Sequence, residues 1–468
     1  MQPCELMKIS LHFFFTQLFQ YLQDWNSFRI FAQNNIMIEQ PPIIKDLPDI
    51  KISALPDEVV TQARMFLDQY LYWSDIKYKH INGVDNPLTL WSVIKTIRSV
   101  NDTVIYPPYG LHFSLTNRML RLCHIFDMQF GGKWGNESLL PKENRRRYLI
   151  GSIMEEAISS SQMEGASTTR KAAKEMLRKN ITPKDRFQRM IFNNYQTITF
   201  LSENTSEPLS RELILKIHSL MTDGTMDKPE DSGRFRVNDD VVVENAITHD
   251  VVHNPPSCRE IEDSIDWLCA FANNDATVFI HPIIKAIIIH FFISYLHPFV
   301  DGNGRTARAL FHWYLLKSGY WLIEYMSISK VIYKTKTAYE KSFLRAEADG
   351  NDIGYFITYN LNALEKAFNE LKTYLSRKAA AQNDQNKLLR LGNINQRQAE
   401  ILYIFLKDED AIITVKDVSS RFMISPTTAK HDLIGLVSKE LLSEIALNRQ
   451  KHAYVRGPKF SEEISRLK

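Results

Sequence analysis

Cysteine is scarce in this chain of 468 residues: there are four, Cys4, Cys123, Cys258 and Cys269. No two form a CxxC pair or stand at metal-ligand spacing, which argues against a thiolate zinc site and a disulfide framework. Free, mostly buried thiols in a reducing, cytoplasmic setting are expected. An excess of one charge is also missing. Lys and Arg number 57 against 54 Asp and Glu, leaving +3. Nucleic-acid binding by the field of the whole chain is thereby disfavoured, and any such contact needs a local patch. Apolar runs long enough to cross a bilayer are lacking too, so no membrane partner is expected. "IIKAIIIHFFISYL" carries Lys285 and His290 and reads as a buried helix. "KISLHFFFTQLF" resembles a signal h-region, but His12, Thr16 and Gln17 interrupt it and no small-residue cleavage site follows. It reads as a peripheral amphipathic helix, or as sequence upstream of a translation start at Met37.

What is present is ordinary for a soluble globular protein, 44% hydrophobic and 24% charged, in a length that suggests roughly two to four domains. No internal repeat is visible. The expected organisation is an N-terminal segment 1–55, a helical region 56–140, a helical core 141–380, a polar linker 381–395 and a module 396–468. "PDEVVTQARMFLDQYLYW" has a Pro start and apolar residues at helical spacing. "ENRRRYLIGSIMEEAISSSQMEG" reads as one long helix stopped by Gly165, with Arg145 to Arg147 on a solvated face. "GRFRVNDDVVVENAITHDVVHNPP" is the one convincing strand region of the middle and reads as a hairpin turning at "ENA". The last module reads as a short strand "AIITV", then helix, turn, helix and a two-stranded wing, the winged variant of helix-turn-helix. Thr427, Thr428 and Lys430 open its second helix, and Arg449, Lys451 and Arg456 sit in the wing. Asp432 on that helix speaks against DNA, so a protein-docking or dimerisation module is the alternative.

The chemistry concentrates in "HPFVDGNGRTAR", residues 297–308, between two apolar helices. A helix start presents unpaired N–H groups and a partial positive charge to a phosphate. Gly302 and Gly304 let the backbone approach an anion closely. Arg305 and Arg308 can fork onto phosphate oxygens. Asp301 offers a hard oxygen to Mg2+, and a neutral His297 can take a proton from an attacking hydroxyl. Each feature alone is commonly structural; together they describe phosphoryl or nucleotidyl transfer from a Mg-bound nucleotide.

This stretch resembles the signature HPFx(D/E)GNGRxxR of Fic (filamentation induced by cAMP) domains at every specified position. The resemblance extends over about residues 154–364, with "GRFR" and "NPP" similar to the family's flap region. It implies a mainly α fold, a helical core with a β-hairpin flap, and transfer of AMP from ATP to a hydroxyl of a target protein. His297 would be the base, Asp301 the Mg2+ ligand, and Asn303 with the Gly302 and Gly304 amides the anion hole. Arg305 and Arg308 would hold the phosphates, Arg308 the γ-phosphate. The intact Gly304 favours AMP transfer over other donors. Tyr355 stands where many relatives carry Trp, near the expected adenine pocket. "SSSQMEG" also resembles the family's inhibitory motif (S/T)xxxE(G/N). Ser160 and Glu164 share a helix face, and the resemblance implies that Glu164, before Gly165, pairs with Arg308 and occupies the γ-phosphate site. A solvent-exposed Glu before a helix cap is the plain alternative, as a structural hairpin is for the flap.

Zinc binding by His281, His290, His297 and His312 is disfavoured because no cysteine partners exist and His290 reads as a core histidine. "DGNG" lacks the spacing of a calcium loop. Rival functions are removal of AMP from a modified protein and a nucleotide-sensing regulator that binds DNA through the winged module. A homodimer is a further expected partner arrangement.

Overall fold

The computed structural model describes residues 38–466 apart from 44, 46, 49, 85, 131–144, 245–247, 275–278, 392 and 448–450. The N-terminal segment with Met37, Cys4, most of the loop "FGGKWGNESLLP", the turn of the expected flap and Arg449 lie outside the described residues. The chain divides into two compact units, Met1–Phe368 and Asn369–Lys468.

The first unit is helical. It contains α1 (Asp57–Asp68), α2 (Trp73–Ile76), α3 (Pro87–Val100), α4 (Asn117–Phe130), α5 (Arg145–Met163), α6 (Arg170–Lys179), α7 (Arg186–Glu203) and α8 (Arg211–Thr222). There follow α9 (Ile261–Asn273), α10 (Pro282–Leu296), α11 (Asn303–Lys317), α12 (Ile328–Lys334), α13 (Lys336–Ala348) and the start of α14 (Gly354–Leu389). Two small hairpins join them: β1 (Asp102–Tyr106) with β2 (Leu111–Ser114), and β3 (Val243–Glu244) with β4 (Val251–His253), both antiparallel. The first of these was not expected: "YPPYG" reads as a break, but Gly110 at φ 64° turns the chain back into a second strand.

α10 and α11 form the centre. α10 is apolar on every side and accordingly buried along nearly its whole length. Its Lys285 is tolerated because Nζ reaches the carbonyl of Asn274 at 2.9 Å. α11 packs on α10, α7 and α8, while α5 packs on α7 and α12. α5 stops where expected: Gly165 takes φ 88°, and the Ala166 N–H returns to the Ser161 carbonyl at 3.1 Å. α5 is tied down by Glu156, whose buried carboxylate accepts from Ser327 Oγ and the Ser329 N–H, both at 3.0 Å, at the start of α12.

In the second unit α14 runs on to Leu389, so the expected linker 381–395 is helical in its first part. Then come α15 (Gln396–Lys407), α16 (Val415–Phe422), α17 (Pro426–Val437), the antiparallel pair β5 (Leu442–Ala446) and β6 (His452–Arg456), and α18 (Phe460–Ser465). The strand expected at "AIITV" is reduced to one bridge, Ile413 to Tyr454. Met423 turns the chain between α16 and α17 at φ 53°, and Ser425 caps α17 ahead of Pro426. No described helix of the chain is long and apolar enough to cross a membrane.

Candidate active site

Between α10 and α11 the chain reverses in six residues, 297–302, and the loop is held by its own carbonyls. His297 caps α10 in the left-handed region at φ 48°, its N–H donating to Ile293. The ring turns back so that Nδ1 lies 3.0 Å from the Ser294 carbonyl. A carbonyl only accepts, so Nδ1 carries the hydrogen and the lone pair is left on Nε2. Burial lowers the His297 pKa from its ordinary value, which favours the neutral ring.

Three further side chains pin the loop. Arg236 donates through Nε to the His297 carbonyl at 3.0 Å. Asn303 donates to the Phe299 carbonyl at 2.8 Å and accepts the Phe299 N–H at 2.9 Å. Asn303 therefore shapes the turn with its side chain, while its N–H stands at the start of α11. His218 on α8 donates from Nε2 to the Asp301 carbonyl at 2.8 Å and accepts the Gly233 N–H on Nδ1 at 2.9 Å. Its ring lies flat on Phe299, centroids 3.7 Å apart, and burial drives its pKa down to about 4. Gly302 has φ 84°, and a Cβ there would stand 2.8 Å from Thr222, so no other residue fits.

The N–H groups of Asn303, Gly304 and Arg305 open α11 with no acceptor inside the helix. Beside them Asp301 stays half exposed; Oδ1 accepts the Gly302 N–H at 2.6 Å. Arg305 is fully buried, directed to the Met221 carbonyl at 3.3 Å and to Asp301 Oδ2 at 3.4 Å, where it braces the carboxylate.

Arg308 is also buried, held three times by Ser160 of α5 and by Glu164 just past its end. Nε donates to Ser160 Oγ at 2.9 Å, and Nη2 donates to the Ser160 carbonyl at 2.9 Å and to Glu164 Oε1 at 2.8 Å. The Glu164 carboxylate lies directly over Gly304, where a Cβ would overlap Oε1. Burial pushes the Glu164 pKa up, but Arg308, Arg305 and Lys336 outweigh it and the carboxyl titrates below its ordinary range. The pairing expected from "SSSQMEG" is thus present, and Ser160 contributes more than spacing suggested.

The flap rises from a tied base. Arg236 donates to Asp239 Oδ1 and the Asn238 carbonyl, both at 2.8 Å, and to the Pro256 carbonyl. Asp239 also accepts the Cys258 N–H at 2.6 Å and Ser257 Oγ at 2.9 Å, which holds its pKa down to about 2. Val237, Val242 and Val251 of the flap and Val300 of the loop are exposed. Tyr355, which stands where many relatives carry Trp, is buried, accepting from Arg98 at 2.7 Å and donating to Asp349 at 2.8 Å. His290 is only half satisfied, with Nε2 on Tyr339 at 2.9 Å and Nδ1 unpartnered. His281 pairs with Asp127 at 3.0 Å, and no cluster of three metal-binding side chains exists among the described residues. Those cysteines that are described, Cys123, Cys258 and Cys269, are free thiols.

A helical core thus sets a helix start with unpaired N–H groups beside a buried imidazole, with the Glu164 carboxylate lying over it. Residues 208–315 match the model of the Fic/DOC family, and the chain carries a Fic domain. The match begins after α5, so "SSSQMEG" stands outside it. "Protein adenylyltransferase fic-1" of Caenorhabditis elegans is 42% identical over 62 residues, 13% of this chain and 11% of that protein. "Protein adenylyltransferase Fic" of Nematostella vectensis is 32% identical over 119 residues, 25% of each. These matches span only 11% and 25% of the relatives' own length. Among solved structures, a Fic family protein from Desulfovibrio desulfuricans G20 is 18% identical with a TM-score of 0.47, covering 74% of this chain and 98% of that one. Fic-1 of C. elegans, also 18% identical, gives 0.43 over 71% and 90%.

Proposed function

We propose that this chain is a protein adenylyltransferase, moving AMP from ATP to a side-chain hydroxyl of a target protein, and that Glu164 holds it off. The observation that carries the reading is the shared guanidinium. Arg308 is committed to α5 at the head of the same anion site whose His297 keeps a free Nε2. In the transfer, the target hydroxyl oxygen bonds to the α-phosphorus of ATP while its proton passes to His297 Nε2. The bond from the α-phosphorus to the bridging oxygen breaks, and pyrophosphate leaves. The N–H groups opening α11 take up the phosphate charge, with Arg308 free to join them once Glu164 withdraws.

Asp301 fits as a Mg2+ ligand: it is the half-exposed carboxylate at the nest, and phosphate oxygens complete such a site. A bound Mg2+ would neutralise phosphate charge. The exposed valines around the flap suit a protein target laid along a strand edge. A cytoplasmic setting agrees with the unpaired thiols.

The test is incubation with α-labelled ATP and Mg2+. Label on protein that requires His297 and rises in Glu164→Gly supports the reading; no label in Glu164→Gly sinks it. Labelled AMP released from a pre-modified substrate would favour the reverse reaction instead. We read the second unit as a winged helix with a DNA-binding role. The Asp432 objection weakens, because that carboxylate turns inward onto Arg397 at 2.8 Å while Thr427, Lys430 and His431 face solvent. Duplex DNA retained with no salt dependence, or not at all, removes this role.

A further inference from the structure

One charged side chain on the flap has no part in the chemistry above. His253 ends β4 and is nine-tenths buried. Its Nδ1 lies 2.9 Å from Oε2 of Glu347 on α13, and its Nε2 lies 2.7 Å from the carbonyl of Tyr295 in the last turn of α10. A carboxylate and a carbonyl only accept, so both ring nitrogens donate and the ring is an imidazolium. The Tyr295 carbonyl is one of those at the α10 C-terminus without an intrahelical donor, and the negative end of the helix dipole favours a cation there. The His253 ring also packs on the Tyr295 ring, centroids 4.9 Å apart. Two residues beyond that carbonyl stands His297.

We propose that His253 is a positioning residue of the transfer reaction. Clamped as a cation between Glu347 and the end of α10, it fixes β4 beside His297, so that a target segment laid along the flap meets the free Nε2 at one height. The inference rests on the adenylyl-transfer reading. The groups facing the ring are Glu347 from α13, Tyr295 from α10 and His297 from the loop, with Arg236 acting on His297 from the flap base. Burial pulls the His253 pKa down, but Glu347 and the Tyr295 carbonyl outweigh it, so the ring titrates above its ordinary 6.5. With a raised pKa, the clamp is complete below 6.5 and is lost as pH climbs through the raised value.

The test uses the full chain carrying Glu164→Gly, with His253→Gln or Glu347→Gln added singly. Hydrogen exchange of the β4 amides is read by mass spectrometry at about pH 6 and about pH 9, corrected for intrinsic rates. The parent should lose about tenfold of its β4 protection at the higher pH, while both added variants sit at the low level at both. Self-labelling should fall about tenfold in the variants with KM for ATP unchanged within about twofold. Equal, pH-independent protection in all three proteins overturns the clamp, and so does undiminished labelling. Absence of label in the parent overturns the transfer reading on which the proposal rests.

Discussion

Arg308 has two claimants that cannot hold it together. The α5 groups use Nε and Nη2, and a triphosphate would need the same fork. Glu164→Gly removes the anionic claimant and uncovers Gly304, so self-labelling with α-labelled ATP should rise about tenfold or more, as expected when a minor competent state becomes the major one. Acid is a poor release signal. The Glu164 carboxyl is depressed below its ordinary 4.5, so its ion pair is present above that value and is lost only as pH falls through the lower one. His297 works in the opposite sense: it must be neutral to accept a proton, and burial lowers its pKa from 6.5. The acid limb of kcat/KM should therefore lie below pH 6.5 in Glu164→Gly; a limb above that value would contradict the buried, neutral ring. His297, Asp301 and Arg308 stand out in the sequence by residue type and spacing, and Glu164 only through the resemblance of "SSSQMEG" to an inhibitory motif. Arg236, His218 and His253 do not. They act on backbone carbonyls of the loop or of the last turn of α10, far along the chain, and a carbonyl leaves no mark in a residue pattern.

Ser160 near the end of α5 and Glu164 just past it stand a turn apart, and both reach Arg308 of α11. Ser160→Ala removes the Oγ acceptor and leaves the carbonyl, so the plug should weaken by about 1 kcal/mol, about fivefold in labelling rate. An effect as large as that of Glu164→Gly would mean the serine, not the carboxylate, is the plug. The loop has its own support in α8. His218→Phe keeps the flat stack on Phe299 but leaves the Asp301 carbonyl and the Gly233 N–H without partners. Denaturant unfolding should show a loss of about 2–4 kcal/mol. Elements were legible where a stop signal is strong, as at Gly165, or where apolar residues cover every face, as in α10. The short strands flanking the break at "YPPYG" were missed, and the strand expected at "AIITV" finds only one bridging partner.

At the scale of the molecule, the second unit carries a separate apolar centre built from Ile401, Leu402, Phe405, Leu433, Leu436 and Tyr454. Its polar fastening is also internal. Asp432 accepts from Arg397 and Asn395, and its carbonyl accepts from Gln398 at 3.1 Å, joining α17 to the start of α15. A change of composition past residue 395 made the module visible in sequence, while the inward turn of Asp432 was hidden because a buried carboxylate and a solvent-facing one look alike in a string of letters. Core and fastening together argue that residues 369–468 fold alone. Expressed as a fragment, they should unfold in a single cooperative transition with a stability of roughly 5 kcal/mol. Asp432→Ala in that fragment should remove about 2–3 kcal/mol, because it breaks the tie between α15 and α17 and leaves two donors to find water. A fragment without a cooperative transition, or one indifferent to Asp432→Ala, would show that this unit draws its order from elsewhere in the chain.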